Sequence, residues 1–354
     1  MNQFLRNLSA THQVAALFLI VFGLLAIVST ATFLLSFREE RNPVHDEIWQ
    51  REFQHFRTLL RTTWFMVVVF WISWALGETV ATLLFALISF FALREFITLS
   101  PTRRGDHRSL ILAFFIVLPI QFWLVESAHF DLFTVFIPVY VFLAIPVVSA
   151  LADDPSHFLE RNAKLQWGIM VCVYGMSHVP ALLLLSFPGY EGKNAFLVFF
   201  LVFVVQTCML VQHLISRRSA LPASGEPDLV LAPGRLVALR RWLFMQPPFA
   251  PNVSSSFNWT SWSLGVALAS IVGGLLAFIT PFRFWQAFVM SLIACVAGSM
   301  GHLVMKALKR DRGIPNWGRR DVGVTGANGL LDRVDALCFA APVFFHAVRW
   351  YFDA

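Results

Sequence analysis

Read from its amino terminus, the chain carries apolar residues in long, nearly unbroken blocks. The one-sided stripes of a helix packed on a soluble core are missing. A bilayer hydrocarbon core of about 30 Å needs about 20 apolar residues of helix. Blocks of that kind run over roughly 14–36, 62–76, 79–97, 109–126, 130–151, 165–187, 195–215, 262–280, 284–305 and 334–352. The pattern therefore predicts an all-α, polytopic integral membrane protein with about ten transmembrane helices. Gly77 and Glu78 leave room only for a tight hairpin between the second and third spans. Pro138, Pro146 and Pro180 fall inside spans and are expected to kink them.

Composition agrees with that reading: apolar residues make up 57% of the chain and charged ones 14%, and Phe alone occurs 37 times, more than a soluble core needs. The few basic residues are arranged in alternation. They crowd the loops after the first span (Arg38, Arg41, Arg51, Arg57, Arg61), the third (Arg103, Arg104, Arg108), the fifth (Arg161, Lys164), the seventh (Arg217, Arg218, Arg235, Arg240, Arg241) and the ninth (Lys306 to Arg333). The intervening loops are almost bare. Cytoplasmic loops retain positive charge, so both termini are expected outside and every basic loop in the cytoplasm. The net charge of +6 is then a topology signal and an attraction to anionic headgroups, and nucleic acid is not needed as a partner.

No soluble domain is expected. The largest departure from membrane composition is 217–261, where Pro222, Gly225, Pro227, Pro233, Gly234, Pro247 and Pro248 argue for an irregular cytoplasmic loop. Leu236 to Phe244, with Arg240 and Arg241, has the makings of a short amphipathic helix on the membrane surface. The apolar stretch after Arg6 is too long for a signal-peptide core and lacks a small-residue cleavage site, so a retained first helix is expected. Cys172, Cys208, Cys295 and Cys338 lie in apolar runs without metal-ligand spacing and read as packing residues. Asn7, Asn252 and Asn258 match the glycosylation tripeptide no more often than chance allows.

The chemistry is concentrated near the carboxy terminus. Lys309, Arg310, Asp311 and Arg312 close one apolar span, and Asp332, Arg333 and Asp335 open the last. Asp332 and Asp335, three residues apart, share a face if the helix has begun there, with Asp311 across a loop in the same layer. Carboxylates gathered so suit a hard divalent cation such as Mg²⁺, which takes oxygen ligands and leaves positions for substrate phosphates. Lys309, Arg310 and Arg333 supply cations for those phosphates. The plainer reading treats the basic residues as membrane anchors and Asp332 as a helix cap.

The pattern Lys309-Arg310-Asp311-x-Gly313, followed by Gly-Leu-Leu-Asp332-Arg333-Val-Asp335-Ala-Leu, resembles the carboxy-terminal signature of phosphatidate cytidylyltransferases, also called CDP-diacylglycerol synthases, in their bacterial branch. Tyr174 to Pro180, Pro188 to Gly192, Ala250 to Ser254, Gly301 to Met305 and Phe339 to His346 continue the likeness. The resemblance implies a cytidylyltransferase-like region over 165–354, preceded by amino-terminal helices over 1–164. It implies transfer of CMP from CTP to phosphatidic acid with Mg²⁺ assistance, in a bacterial inner membrane, the site facing the cytoplasm. Asp332 and Asp335 then bind metal and act with Lys309 in catalysis. Arg310, Asp311, Arg333, Gln206, Gln212 and Ser254 contact substrate, and a homodimer is left open.

Five positions depart from the family pattern. Phe257 stands where a lysine is usual, Thr260 for a glutamate, Met209 for an aspartate, His302 for an aspartate present in many members, and Ala327 for a histidine. Three readings follow: a working cytidylyltransferase, a non-catalytic relative that binds lipid or a partner, and a transporter. Transport asks for polar residues lining a mid-bilayer path. The leading one is His178, expected to bond a backbone carbonyl freed by Pro180. Glu126, His129 and Asp131 read as solvated anchors at the external boundary.

Overall fold

The computed structural model describes scattered positions of 12–30 and 60–75, then 76–98, 102–187, 190, 192–219, 249–254, 257–314, 317 and 329–352. Eight long helices follow one another: α1 (Glu78–Thr98), α2 (Arg104–Glu126), α3 (Phe130–Ala150), α4 (Phe158–Leu184), α5 (Ala195–Ser219), α6 (Trp259–Ile279), α7 (Phe284–Asp311) and α8 (Leu331–Phe352). The first seven are long and apolar enough to cross a membrane, and no strand occurs among the described residues. The protein is an all-α polytopic membrane protein. The eighth helix, where a tenth span was expected, carries Asp332, Arg333, Asp335 and Arg349. The first two expected spans lie mostly outside the described residues. Their described positions are helical and touch, through a 2.8 Å hydrogen bond from Trp64 Nε1 to Ser29 Oγ. The amphipathic stretch 236–244 lies outside the described residues.

The helices alternate in direction, and side chains tie their ends together. Thr79 at the start of α1 donates to Glu126 at the end of α2 (2.6 Å), and Gln286 at the start of α7 donates to Tyr351 at the end of α8 (3.0 Å). At that same end Arg349 of α8 pairs with Asp131 of α3, whose side chain stays exposed as expected of a solvated anchor. Gly77 takes φ +92°, the left-handed backbone that the expected hairpin requires and that glycine adopts without steric cost. Outward faces are apolar, as with Phe115, Leu143 and Phe278, and Trp123, Trp285 and Trp350 stand exposed near one set of helix ends. Amphipathic rings at that depth mark a membrane interface.

Helix α4 is the most enclosed span. Ser89 of α1 donates to the Cys172 carbonyl at 2.6 Å, and a Cβ at Gly175 would run into the Cys338 carbonyl of α8. All four cysteines are buried and free, as packing residues should be. Three spans contain π-helical turns, at Ala113–Val117, Phe136–Val141 and Met170–Gly175. Pro138 sits in the second of these, where a widened turn relieves the clash a proline ring makes with the carbonyl four residues back. His178 Nδ1 does bond a backbone carbonyl, at 2.7 Å. That carbonyl belongs to Tyr174, in the π turn, and not to Met176, the one Pro180 leaves without a donor.

Candidate functional site

Helices α7 and α8 share one of the most extensive interfaces among the described helices. It is close because small residues face it: a Cβ at Gly301 would enter the Phe339 ring, and one at Gly298 would lie 3.2 Å from the Ala336 carbonyl. Antiparallel packing brings the end of α7 to the start of α8. There Lys309 Nζ lies 2.6 Å from Asp332 Oδ1, and the Trp317 N–H donates to Asp332 Oδ2 at 2.9 Å. Deeper along the seam His302 Nδ1 donates to Asp335 Oδ2 at 2.7 Å, and the Ala336 N–H donates to Asp335 Oδ1 at 2.6 Å. A carboxylate is an acceptor only, so Nδ1 carries the imidazole proton.

The two carboxylates are thus divided between partners. They sit three residues apart on α8, while Lys309 and His302 lie seven residues, roughly 10 Å, apart on α7. Asp335 is buried at 3% exposure, and Asp332 is partly accessible. Asp311 does not join them: it is exposed at the end of α7, with Arg312 Nε 3.5 Å from its carboxylate. Arg310 is exposed beside it, and Arg333 is half-buried.

Mg²⁺ takes oxygen ligands and keeps several waters. Each oxygen of Asp332 and Asp335 accepts one bond from the chain and retains a second lone pair. Among the described residues no group of three or more His, Cys, Asp or Glu side chains is placed to hold a metal. The donor set therefore does not form a cage of protein ligands among the described residues, while each carboxylate keeps acceptor capacity for a cation.

A partly open cavity lies beside this seam, between the end of α5, the start of α6 and α7. His302 lines it, placing it one hydrogen bond from Asp335. Its polar walls are Gln212, His213, three serines and Lys306, and Met209 and Phe257 are among its apolar ones. Gln212 is the sequence-predicted substrate residue that faces it, and its amide lies 3.1 Å from Cys208 Sγ. Gln206 is half-buried further along α5, and Ser254 is buried in the loop before α6; neither lines the cavity. Of the departing positions, Met209, Phe257 and His302 share this one cavity. Thr260 lies in the first turn of α6, which Asn258 caps by accepting the Ser261 N–H at 2.7 Å. Ala327 lies outside the described residues.

Two residues of the site were not singled out from the sequence. Glu95, near the end of α1, accepts the Gly329 and Leu331 N–H groups at 2.6 and 2.9 Å and so holds the start of α8. These amides sit at a helix start, where backbone donors have no partner within the helix. Beside it the Phe96 and Trp317 rings pack with centroids 5.7 Å apart, tilted by 30°. A carboxylate near the end of a largely apolar span was the available signal. Lys306 is the second, one turn before Lys309.

The sequence profile of the cytidylyltransferase family matches residues 57–215 and 242–351. The chain belongs to the cytidylyltransferase family. It is 30% identical over 295 residues to the protein titled "Uncharacterized protein YnbB" of Escherichia coli K12, an alignment covering 82% of this chain and 86% of that one. It is similar to the phosphatidate cytidylyltransferase of Brucella abortus, at 33% identity over 101 residues, and to that of Mycobacterium leprae, at 30% over 105 residues. Those two alignments take in 28% of this chain and about a third of each relative. The resemblance read from the carboxy-terminal residues is therefore a family relationship. The gap in the profile match, 216–241, overlaps the Pro- and Gly-rich stretch.

Proposed function

We propose that the chain transfers CMP from CTP to phosphatidic acid, giving CDP-diacylglycerol and pyrophosphate. The observation that carries the proposal is the cavity ending on His302, itself bonded to Asp335, in a chain of the cytidylyltransferase family. In the reaction a phosphate oxygen of phosphatidic acid forms a bond to the α-phosphorus of CTP. The bond from that phosphorus to the β-phosphate bridge oxygen breaks, and pyrophosphate leaves with its electron pair. The attacking phosphate is already ionised near neutral pH, so no general base is required, and the protein's task is positioning and charge neutralisation.

Asp332 and Asp335 would hold Mg²⁺, which supplies neutralisation of phosphate charge as it develops. His302 fixes the orientation of Asp335, as partners of ligating carboxylates do. Lys309 is one side-chain reorientation away from a phosphate bound beside Asp332. Basic residues gather at the same helix ends as the site, which supports a cytoplasmic orientation in a bacterial inner membrane.

The test is direct. Purified protein given radiolabelled CTP, Mg²⁺ and phosphatidic acid should form CDP-diacylglycerol, and Asp335→Asn should not. A second reading, lipid binding without transfer, draws on the pairing of both carboxylates with side chains of the chain itself, Asp332 with Lys309 and Asp335 with His302. It predicts phosphatidate binding with no product from the wild-type chain, and that result would displace the first.

A further inference from the structure

The cavity has an uneven charge pattern. Among the described residues Lys306 is its one Lys or Arg, His213 and His302 flank it, and no carboxylate lines it. Two of the three serine hydroxyls are committed to the fold: Ser261 Oγ donates to the Asn258 carbonyl at 3.1 Å, and Ser299 Oγ donates to the Cys295 carbonyl at 2.6 Å while accepting from Trp262 Nε1 at 2.9 Å. The neighbouring cations are committed or turned away, with Lys309 on Asp332, Arg312 beside Asp311 and Arg310 exposed. Lys306 is half-buried and forms no hydrogen bond or ion pair among the described residues. Asp335 acts on it only through charge, without an ion-pair contact; holding an ammonium group partly out of water without a paired anion is costly, and such a group attracts one.

Resting on the reading of the site given above, we propose that Lys306 is the phosphate-binding residue of this cavity, holding a phosphate of one substrate one imidazole away from Asp335. Three substituted positions, Met209, Phe257 and His302, line the same walls. The cation that the family pattern places at position 257 is here supplied from α7 instead. Lysine suits the task, because an ammonium on a flexible stem binds phosphate as a point charge. The phosphate belongs either to the nucleotide or to the lipid, and the two call for separate probes.

The experiment uses the full chain in phosphatidylcholine nanodiscs. One arm measures binding of CTP and of inorganic pyrophosphate; the other measures binding to nanodiscs doped with phosphatidate. Wild-type protein should bind in at least one arm, with affinity that falls as salt rises. Lys306→Met should weaken that binding at least tenfold, and Lys306→Arg should retain most of it. Because Lys306 makes no hydrogen bond or ion pair among the described residues, both variants should keep a melting temperature close to that of the wild type. Weakening confined to the soluble anions assigns the subsite to the nucleotide, and weakening confined to doped nanodiscs assigns it to the lipid. Unchanged binding of Lys306→Met in both arms overturns the inference, as does wild-type protein that binds neither probe. Should binding depend on Lys306 while no CDP-diacylglycerol forms, the subsite stands and the transfer reading fails. Should product form at the wild-type rate in Lys306→Met, with binding unchanged, the transfer reading stands and the subsite is lost.

Discussion

The carboxylate of Glu95 accepts the backbone N–H of Leu331 at 2.9 Å, joining the end of α1 to the first residue of α8. With the second bond from Gly329 it fastens the segment that carries Asp332. Hydrogen bonds to a charged acceptor contribute about 2 kcal/mol each. Glu95→Leu should therefore lower the thermal stability of the detergent-solubilised protein markedly and reduce product formation. Glu95→Gln, which keeps one acceptor oxygen, should fall between the two.

Asp335→Asn keeps the shape of a buried side chain and removes its charge. A lost charge at a phosphoryl-transfer site costs a few kcal/mol of transition-state stabilisation, so kcat/KM for CDP-diacylglycerol formation should fall by roughly a hundredfold or more. Asp332→Asn should behave alike. If the melting temperature stays within a few degrees while the rate collapses, the role is chemical; a parallel fall in both would mark these carboxylates as structural.

The pair Lys309 and Asp332 lends itself to a double-mutant cycle. Both side chains are partly screened from water, so Lys309→Ala and Asp332→Ala should be non-additive in unfolding free energy by about 1 kcal/mol. Additive values would show that their 2.6 Å contact contributes nothing to the fold.

Gly301→Leu forces a side chain into the Phe339 ring. Overpacking of this kind costs about 1–3 kcal/mol. Phe339→Ala should rescue part of that loss in the double variant, as measured by melting temperature. Absence of rescue would place the strain elsewhere.

Away from the site, Arg161 is buried and pairs with Asp154 and with Asp106, its Nε 3.3 Å from the latter. The Ser156 N–H and the Arg161 guanidinium hold the Asp154 carboxyl below the ordinary carboxylate range. A depressed folded value means that the carboxylate stabilises the fold above its unfolded pKa of about 4, and that this contribution fades as pH falls through the folded value. Melting temperature should therefore drop on acidification from about pH 6 to pH 3, and Asp154→Asn should flatten that dependence. Arg161→Met, which leaves Asp106 buried without its cation, should destabilise by about 3 kcal/mol at neutral pH.

The spans were legible because membrane crossing is a one-dimensional signal: about 20 apolar residues in a row suffice, whatever their partners. Gly77 was legible for a similar reason, since a two-residue hairpin leaves few backbone options. Asp332 and Asp335 were legible as a pair, but their separation onto Lys309 and His302 was not. Which donor each carboxylate meets is fixed by the packing of α7 on α8, and spacing along one helix carries no information about a neighbour's register. Lys306 reads in sequence as one more basic anchor after a span, and only the arrangement of α5, α6 and α7 turns it toward a cavity. Glu95 reads as a span boundary until the amides of α8 appear beside it.

The glycine-lined seam between α7 and α8 works as a keyed joint. With Gly298 against a carbonyl and Gly301 under an aromatic ring, neither helix can slide by one residue without collision, and a slide would part Asp332 from Lys309 and Asp335 from His302 together. Positions 301 and 339 are therefore free to vary only as a matched set, a larger residue on one side demanding a smaller one on the other. Whatever rearrangement accompanies turnover must come from elements that flank the joint.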